Sequence, residues 1–329
     1  MDISIIVCTY NPDKDIFSRL LGAISLLDTS NIKSELIVVD NNSKFSVFDS
    51  FSVEFENIKI KTKQVFEPLS GLTNARIAGY KSSSGDVLIF FDDDNEPQPD
   101  YLQAVFHEFM RFPNIGVFGP GHISVEFLGN PPAWIYHNKY YFQERHYHQA
   151  LFACCADWFE FYPPGTGQAV RRFIFNSYHN ALLEGRLSAA DRKGNSLSSA
   201  GDVQLVFESI KMEYAVGVSP KMNLQHLIAE RKSTFTYLKR LLFGMSSSFP
   251  EAYAECFPQT RNILPYYSSF QIFKILSVEL FQNLATKKSP KAAIFLISDL
   301  LGKFYGSNLT REKNVTSIWF SLIKLLKLR

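Results

Sequence analysis

The run Asp86-Val87-Leu88-Ile89-Phe90-Phe91-Asp92-Asp93-Asp94-Asn95 limits the fold more than any other stretch of this chain. Five large apolar residues between Gly85 and Pro97 read as a strand buried on both faces. Such a strand belongs in a sheet covered by helices on both sides. Three acids at its carboxyl end repel one another, and a fold has no need of them there. A divalent cation removes that objection, because hard oxygen ligands suit Mg²⁺ or Mn²⁺. In open α/β sheets ligands bind outside the carboxyl ends of the strands, so the acids read as a metal–diphosphate site. The other reading is a solvated acidic turn whose Asp or Asn caps the next helix.

The surrounding sequence repeats the pattern. Ile3 to Tyr10 is a second near-continuous apolar run and hence a buried strand. Asn11-Pro12 then predicts a helix N-cap with proline at the first helical position, and Ile16, Leu20, Ile24 and Leu27 follow at helical spacing. Glu35–Val39 reads as a strand ending at Asp40-Asn41-Asn42-Ser43, and 58–65 as a more polar strand. Gly71–Ser84 and Pro99–Phe112 read as helices, and Ile115–Phe118 as a strand. Alternating strands and helices argue for an α/β fold, a mostly parallel sheet flanked by helices on both faces. Thr9, Tyr10, Asn11, Asp40, Asn74, Arg76, Asp92, Asp93 and Asp94 would then share one sheet edge, where a nucleotide would sit.

Residues 120–165 are rich in Pro, Gly, Tyr, His and Trp, which suits a binding groove or a packing layer equally. Gly165-Thr166-Gly167-Gln168-Ala169-Val170-Arg171-Arg172 is a Gly-rich turn entering a basic strand or helix start; its arginines fit a diphosphate or a plain surface. Beyond His226 the chain reads as helical.

A hydrophobic content of 46% excludes disorder. The formal charge of +2 hides an asymmetry: from Lys287 onward nine Lys/Arg face only Asp299 and Glu312. A basic tail suggests an anionic surface as partner, and no nucleic-acid-binding motif is present. Ile318, Trp319, Leu322, Ile323 and Leu326 share one helical face, so the tail reads as an amphipathic helix lying on an anionic membrane surface, or packing on the rest of the chain. Cys8, Cys154, Cys155 and Cys256 lack C-x-x-C spacing and read as reduced. Met1-Asp2-Ile3-Ser4 has no basic leader, and no run of 18 apolar residues occurs. The expectation is a cytoplasmic protein, peripheral on the inner face of the cytoplasmic membrane.

The segments SIIVCTYN, LIVVDNNS, GLTNARIAGYKSSSGDVLIFFDDDNEPQPDYL and GTGQAVRR, in that order, resemble the family 2 glycosyltransferases of GT-A fold over roughly residues 2–243. The resemblance implies a catalytic domain over 1–243 and a helical, basic, membrane-associating region over 244–329. It implies inverting transfer from a nucleoside diphosphate sugar with Mn²⁺ or Mg²⁺, building a glycan or lipid-linked glycan for surface polysaccharide. Asp94 matches the metal ligand. Asp92 and Asp93 match positions near the ribose and metal-bound water. Asp40 would accept a hydrogen bond from the base edge, favouring UDP. Thr9 and Tyr10 would contact base and ribose, Arg76 the base or phosphates, and Asn11 and Asn74 join that nucleotide set. His226 corresponds to a late metal ligand of some members, or is a histidine packed between apolar neighbours.

An inverting transfer also needs a general base, which the family supplies as Glu-Asp after a basic, Gly-containing turn. Here Arg192-Lys193-Gly194 precedes Ala200-Gly201-Asp202, so Asp202 matches the base and Gly201 stands where the Glu would be. Two other readings remain. A sugar nucleotidyltransferase would carry a Gly-rich loop after the first strand, and Thr9-Tyr10-Asn11-Pro12 has no Gly. A non-catalytic nucleotide-sugar-binding scaffold with a decayed site would explain Gly201.

Overall fold

Strand β1 (Ile3–Thr9) is buried on both faces. Ile3, Ile5 and Val7 meet Phe17, Leu20, Leu21 and Ile24 of α1 (Lys14–Ser25) in one core. Helix α4 (Leu72–Ser82) approaches the other face so closely that a Cβ on Gly79 would lie 2.5 Å from the Ile6 side chain. The computed structural model describes residues 1–188, 197–285, 289–312, 315 and 317–329.

Between α1 and α4 come β2 (Ser34–Asp40), the short α2 (Val47–Ser50) and α3 (Ser52–Glu56), and β3 (Lys61–Phe66). After α4 follow β4 (Val87–Asp92), β5 (Asn95–Pro97), α5 (Tyr101–Arg111) and the long β6 (Ile115–Phe127). A 3-10 segment, Ala133–Phe142, leads to β7 (Arg145–His146), β8 (Leu151–Ala153), β9 (Gln168–Arg171), α6 (Arg172–Leu183), α7 (Gly201–Lys211) and β10 (Ala215–Ile228). The sheet runs β3-β2-β1-β4-β9-β6-β10-β5. Strands β3, β2, β1 and β4 are parallel neighbours, as are β6 and β10. Strand β9 runs antiparallel between β4 and β6. The result is a mixed sheet with flanking helices, parallel across its first four strands.

One local expectation needs correction. The cap of α1 is Asp13, whose carboxylate accepts from Ile16 N–H at 3.4 Å, and not Asn11. Asn11 instead takes a left-handed φ of 48°, which Asn tolerates better than most residues.

At the opposite end of the strands Glu35 ties several elements together. Its Oε1 accepts from Ser4 Oγ at 2.8 Å and from Ser84 N–H and Oγ at 2.5 and 2.8 Å, while Oε2 meets Lys63 Nζ at 2.7 Å. Burial alone would raise the carboxyl's pKa, but Lys63, Ser84 and Ser4 together outweigh it and hold it at about 2. A depressed folded pKa stabilises above the unfolded value and is lost as pH falls toward the folded one. Glu35→Gln should therefore cost on the order of 2 kcal/mol at pH 7. The gap to wild type should close between about pH 5 and pH 2 in urea unfolding at each pH; a constant gap would show that charge is not the cause.

Contacts divide the chain into two units, Met1–Leu183 with Leu205–Glu230, and Glu184–Gln204 with Arg231–Arg329. The second is helical. It contains α8 (Phe235–Cys256), α9 (Ser269–Ala285), α10 (Pro290–Thr310) and α11 (Ser317–Leu325). Phe243, Ile272, Leu276, Leu301, Phe304, Trp319, Ile323 and Leu328 form its core. The stripe on α11 expected to face a bilayer is mostly consumed here. Trp319 and Ile323 are buried, and Leu322 and Leu326 pack against them. The same apolar periodicity serves either surface, and in this chain the neighbouring helices take it. No described helix is long and apolar enough to cross a membrane.

Candidate functional site

Parallel register builds the first part of the site. Thr9 of β1 lies opposite Asp40 of β2, and Cys8 lies opposite Asp92 of β4. Neighbouring strands stand about 4.8 Å apart, so the polar ends of three strands form one row. Asp93 accepts from the Thr9 hydroxyl at 2.7 Å. Arg76, buried on α4, brings Nη2 to 3.9 Å from Asp92 Oδ1 and lays its guanidinium over the Phe90 ring. Asp40 is buried and its Oδ1 accepts from Ser43 N–H at 2.9 Å. Asn11 bridges to the same loop, donating its backbone N–H to Ser43 Oγ and accepting from Lys44 N–H. Tyr10 is exposed. Asn74 donates to the carbonyls of Leu69 and Ser70 and so braces the loop before α4. Burial pushes the Cys8 thiol up to about 12, which keeps it protonated and unreactive.

The second part comes from the far side of the sheet. Strand β5 pairs antiparallel with β10, setting His226 opposite Asn95, and Leu227 N–H donates to the Asp94 carbonyl at 2.8 Å. This pairing brings His226 Nε2 to 3.4 Å from Asp94 Oδ1, both side chains largely buried. His226 Nδ1 lies 2.8 Å from the Phe142 carbonyl. A carbonyl oxygen only accepts, so Nδ1 carries the proton and Nε2 faces the carboxylate. Two acceptors at that distance need a proton or a cation between them.

The donor set fits a divalent ion. An imidazole nitrogen and a carboxylate oxygen 3.4 Å apart are close enough that both could ligate one ion. Imidazole with carboxylate suits Mn²⁺ better than Mg²⁺. Among the described residues no three His, Cys, Asp or Glu side chains converge on one point. Further coordination would have to come from water and substrate phosphates, as is usual where an ion assists phosphate chemistry.

Two residues at this centre escaped the sequence reading. Asn95 is fully buried, accepts from Asp92 N–H at 3.0 Å and donates to Asp94 Oδ1 at 3.3 Å, so it fixes the acidic turn from within. Thr166 donates to Asp92 Oδ2 at 3.3 Å. The reversed direction of β9 explains Thr166, because its first residue Gln168 lies opposite Phe90 at the acidic end. It also sends Arg171 to the other end, opposite Val87. There Arg171 donates to the carbonyls of Ile115, Phe109 and Phe112, and Arg172 to Gly85. Arg171 thus ties the end of α5 to the start of β6, Arg172 holds Gly85 ahead of β4, and neither faces the acidic turn. In the aromatic segment, Ile135 and Phe142 are buried while Tyr136 and Tyr140 are exposed, so it both packs and presents a surface.

Asp202 belongs to the second unit, in the first turn of α7, where the Ser199 hydroxyl approaches its two oxygens at 3.2 and 3.4 Å. Arg192-Lys193-Gly194 lies outside the described residues.

Residues 4–178, more than half of the chain, match the sequence model of Glycosyl transferase family 2. The chain belongs to this family. Membership of this family weighs against the nucleotidyltransferase alternative. A glucosyl-dolichyl phosphate glucuronosyltransferase of Haloferax volcanii is 25% identical over 148 residues, 45% of this chain and 44% of the relative. A dolichol-phosphate mannosyltransferase of Pyrococcus furiosus is 25% identical over 120 residues, 36% of this chain and 32% of that protein. The chain thus spans less than half the length of these curated relatives. A mannosyltransferase structure from Pyrobaculum calidifontis, in complex with GDP-Man and Mn²⁺, has a TM-score of 0.53 at 14% identity, covering 94% of this chain and 86% of that one. That likeness establishes the shared GT-A-like fold.

Proposed function

We propose that this family 2 glycosyltransferase moves a sugar with inversion from a nucleoside diphosphate sugar, UDP-linked, to a lipid-linked glycan of a surface polysaccharide, with Mn²⁺ or Mg²⁺. The observation that carries the reading is the Asp94–His226 pair beside the aligned strand ends. Thr9, Tyr10, Asn11 and Asp40 would hold base and ribose. Asp92 and Asp93, oriented by Arg76, Thr166 and Thr9, would hold the ribose and order water. Asp94 and His226 would ligate the ion, which supplies neutralisation of charge on the departing diphosphate. Asp202 would take the proton from the acceptor hydroxyl as that oxygen bonds to the anomeric carbon and the carbon–phosphate oxygen bond breaks. A lipid-linked acceptor is supported by the dolichyl carriers in the relatives' names, and Mn²⁺ by the Pyrobaculum complex.

Gly201 at the family's Glu position favours a second reading, a chain that binds donor without transferring it. A thermal-shift screen of UDP, GDP, CDP and dTDP, each with and without Mn²⁺, tests the binding half. A nucleotide at 100 times its Kd adds about 2.7 kcal/mol, a rise of about 5 °C for a domain of this size. The expected result is that rise with UDP and Mn²⁺ together and little with either alone. Silence with all four nucleotides overturns the site. Binding without sugar release from UDP-sugars in the presence of acceptor lipid selects the second reading.

A further inference from the structure

Helix α9 is apolar on two opposite faces, and among the described residues only one of them is packed in a core. Ile272 and Leu276 are buried in the core of the helical unit. Phe270, Phe273 and Phe281, with Ser277, follow at i+3 and i+4 steps on the other side. They are 75%, 63% and 74% exposed, and Leu280 beside them is 39% exposed. A helix apolar all round is ordinarily buried all round, and clustered exposed aromatics mark a surface that something covers.

We infer that this face of α9 docks on an anionic lipid bilayer. Charge selects the occupant. The helical unit carries 18 Lys/Arg against 8 Asp/Glu, a formal +10, whereas the rest of the chain carries 16 against 24, a formal −8. Lys274 is exposed on α9 itself, and Lys291 is exposed at the start of α10. A second copy of so positive a unit would be repelled, while anionic headgroups are attracted. Phenylalanine rings of an interfacial helix bury about 5–10 Å into the headgroup boundary, and flanking lysines stay at its surface. The bilayer contact therefore lies on α9 and not on the stripe of α11, which the core uses. This assignment supplies the surface a lipid-linked acceptor needs, and to that extent rests on the function proposed above.

The test is flotation of the full chain with phosphatidylcholine vesicles, with and without phosphatidylglycerol, set beside UDP–Mn²⁺ thermal shift on the same samples. Wild type should float with the anionic vesicles and largely stay behind with the neutral ones. Attachment should weaken in about 1 M salt, where screening shortens to about 3 Å. The triple variant Phe270→Ser, Phe273→Ser, Phe281→Ser should bind at least about tenfold less, with its nucleotide shift and melting temperature kept. Because the three rings are exposed, the fold should not depend on them; the single variant Phe270→Ser, expected to lose about threefold, guards against a folding failure of the triple. Wild type that ignores anionic vesicles while still binding nucleotide overturns the inference and leaves the function standing. Equal flotation of wild type and triple variant overturns it too. So does concentration-dependent self-association that the triple variant abolishes, which would give the face to a second copy. Flotation as expected without any nucleotide shift would instead sink the donor-site reading and leave this surface intact.

Discussion

Asp94→Ala should abolish the Mn²⁺-dependent part of nucleotide binding and lower transfer by about 10³-fold or more. Asp94 is buried just beyond the carboxyl end of β4, and its Oδ1 faces His226 Nε2 at 3.4 Å. Its replacement leaves one imidazole to hold an ion that favours oxygen ligands. His226→Ala should do less, on the order of 10–100-fold, because a carboxylate remains. Asp94→Asn separates charge from shape. Its side chain still fits against Asn95, so a loss close to that of Asp94→Ala would assign the effect to the negative charge. Calorimetric titration of UDP with and without Mn²⁺, together with initial rates, measures both terms. Wild-type affinity that ignores Mn²⁺, or a variant that keeps the metal response, would show that this pair is not the ion's seat.

Much of this geometry follows from simple features of the sequence. Three of the first four parallel strands, β1, β2 and β4, are largely apolar runs that stop at polar residues, so alternation with helices is enough to align Thr9, Asp40 and Asp92 on one edge. Strand β9 was harder. Four residues between a Gly-rich turn and a helix carry no mark of direction, and only pairing with β4 and β6 shows the chain running backward. That reversal decides that Thr166 meets Asp92 while Arg171 and Arg172 close carbonyls at the other end. Asn95 was hidden for a different reason. In sequence it reads as the polar end of an acidic turn, and its role depends on complete burial where β5 pairs with β10. In the C-terminal helices an apolar stripe does not name its partner. The stripe on α11 found a protein core, and the second face of α9 was masked by the helix's general apolarity.

Asp202→Asn should lower kcat by about 10²–10⁴-fold while changing UDP–Mn²⁺ affinity less than about twofold, the mark of a lost general base. The argument rests on what the amide cannot do. Asparagine keeps the size of the side chain and can still accept from the Ser199 hydroxyl. It cannot take a proton from an acceptor alcohol. Asp202 also sits in the first turn of α7, where a negative charge near the helix N-terminus contributes about 0.3–1 kcal/mol. A purely structural carboxylate would therefore show a small fall in melting temperature and near-normal turnover. Loss of nucleotide binding in Asp202→Asn would contradict both, and would move the residue from the acceptor side of the reaction to the donor side.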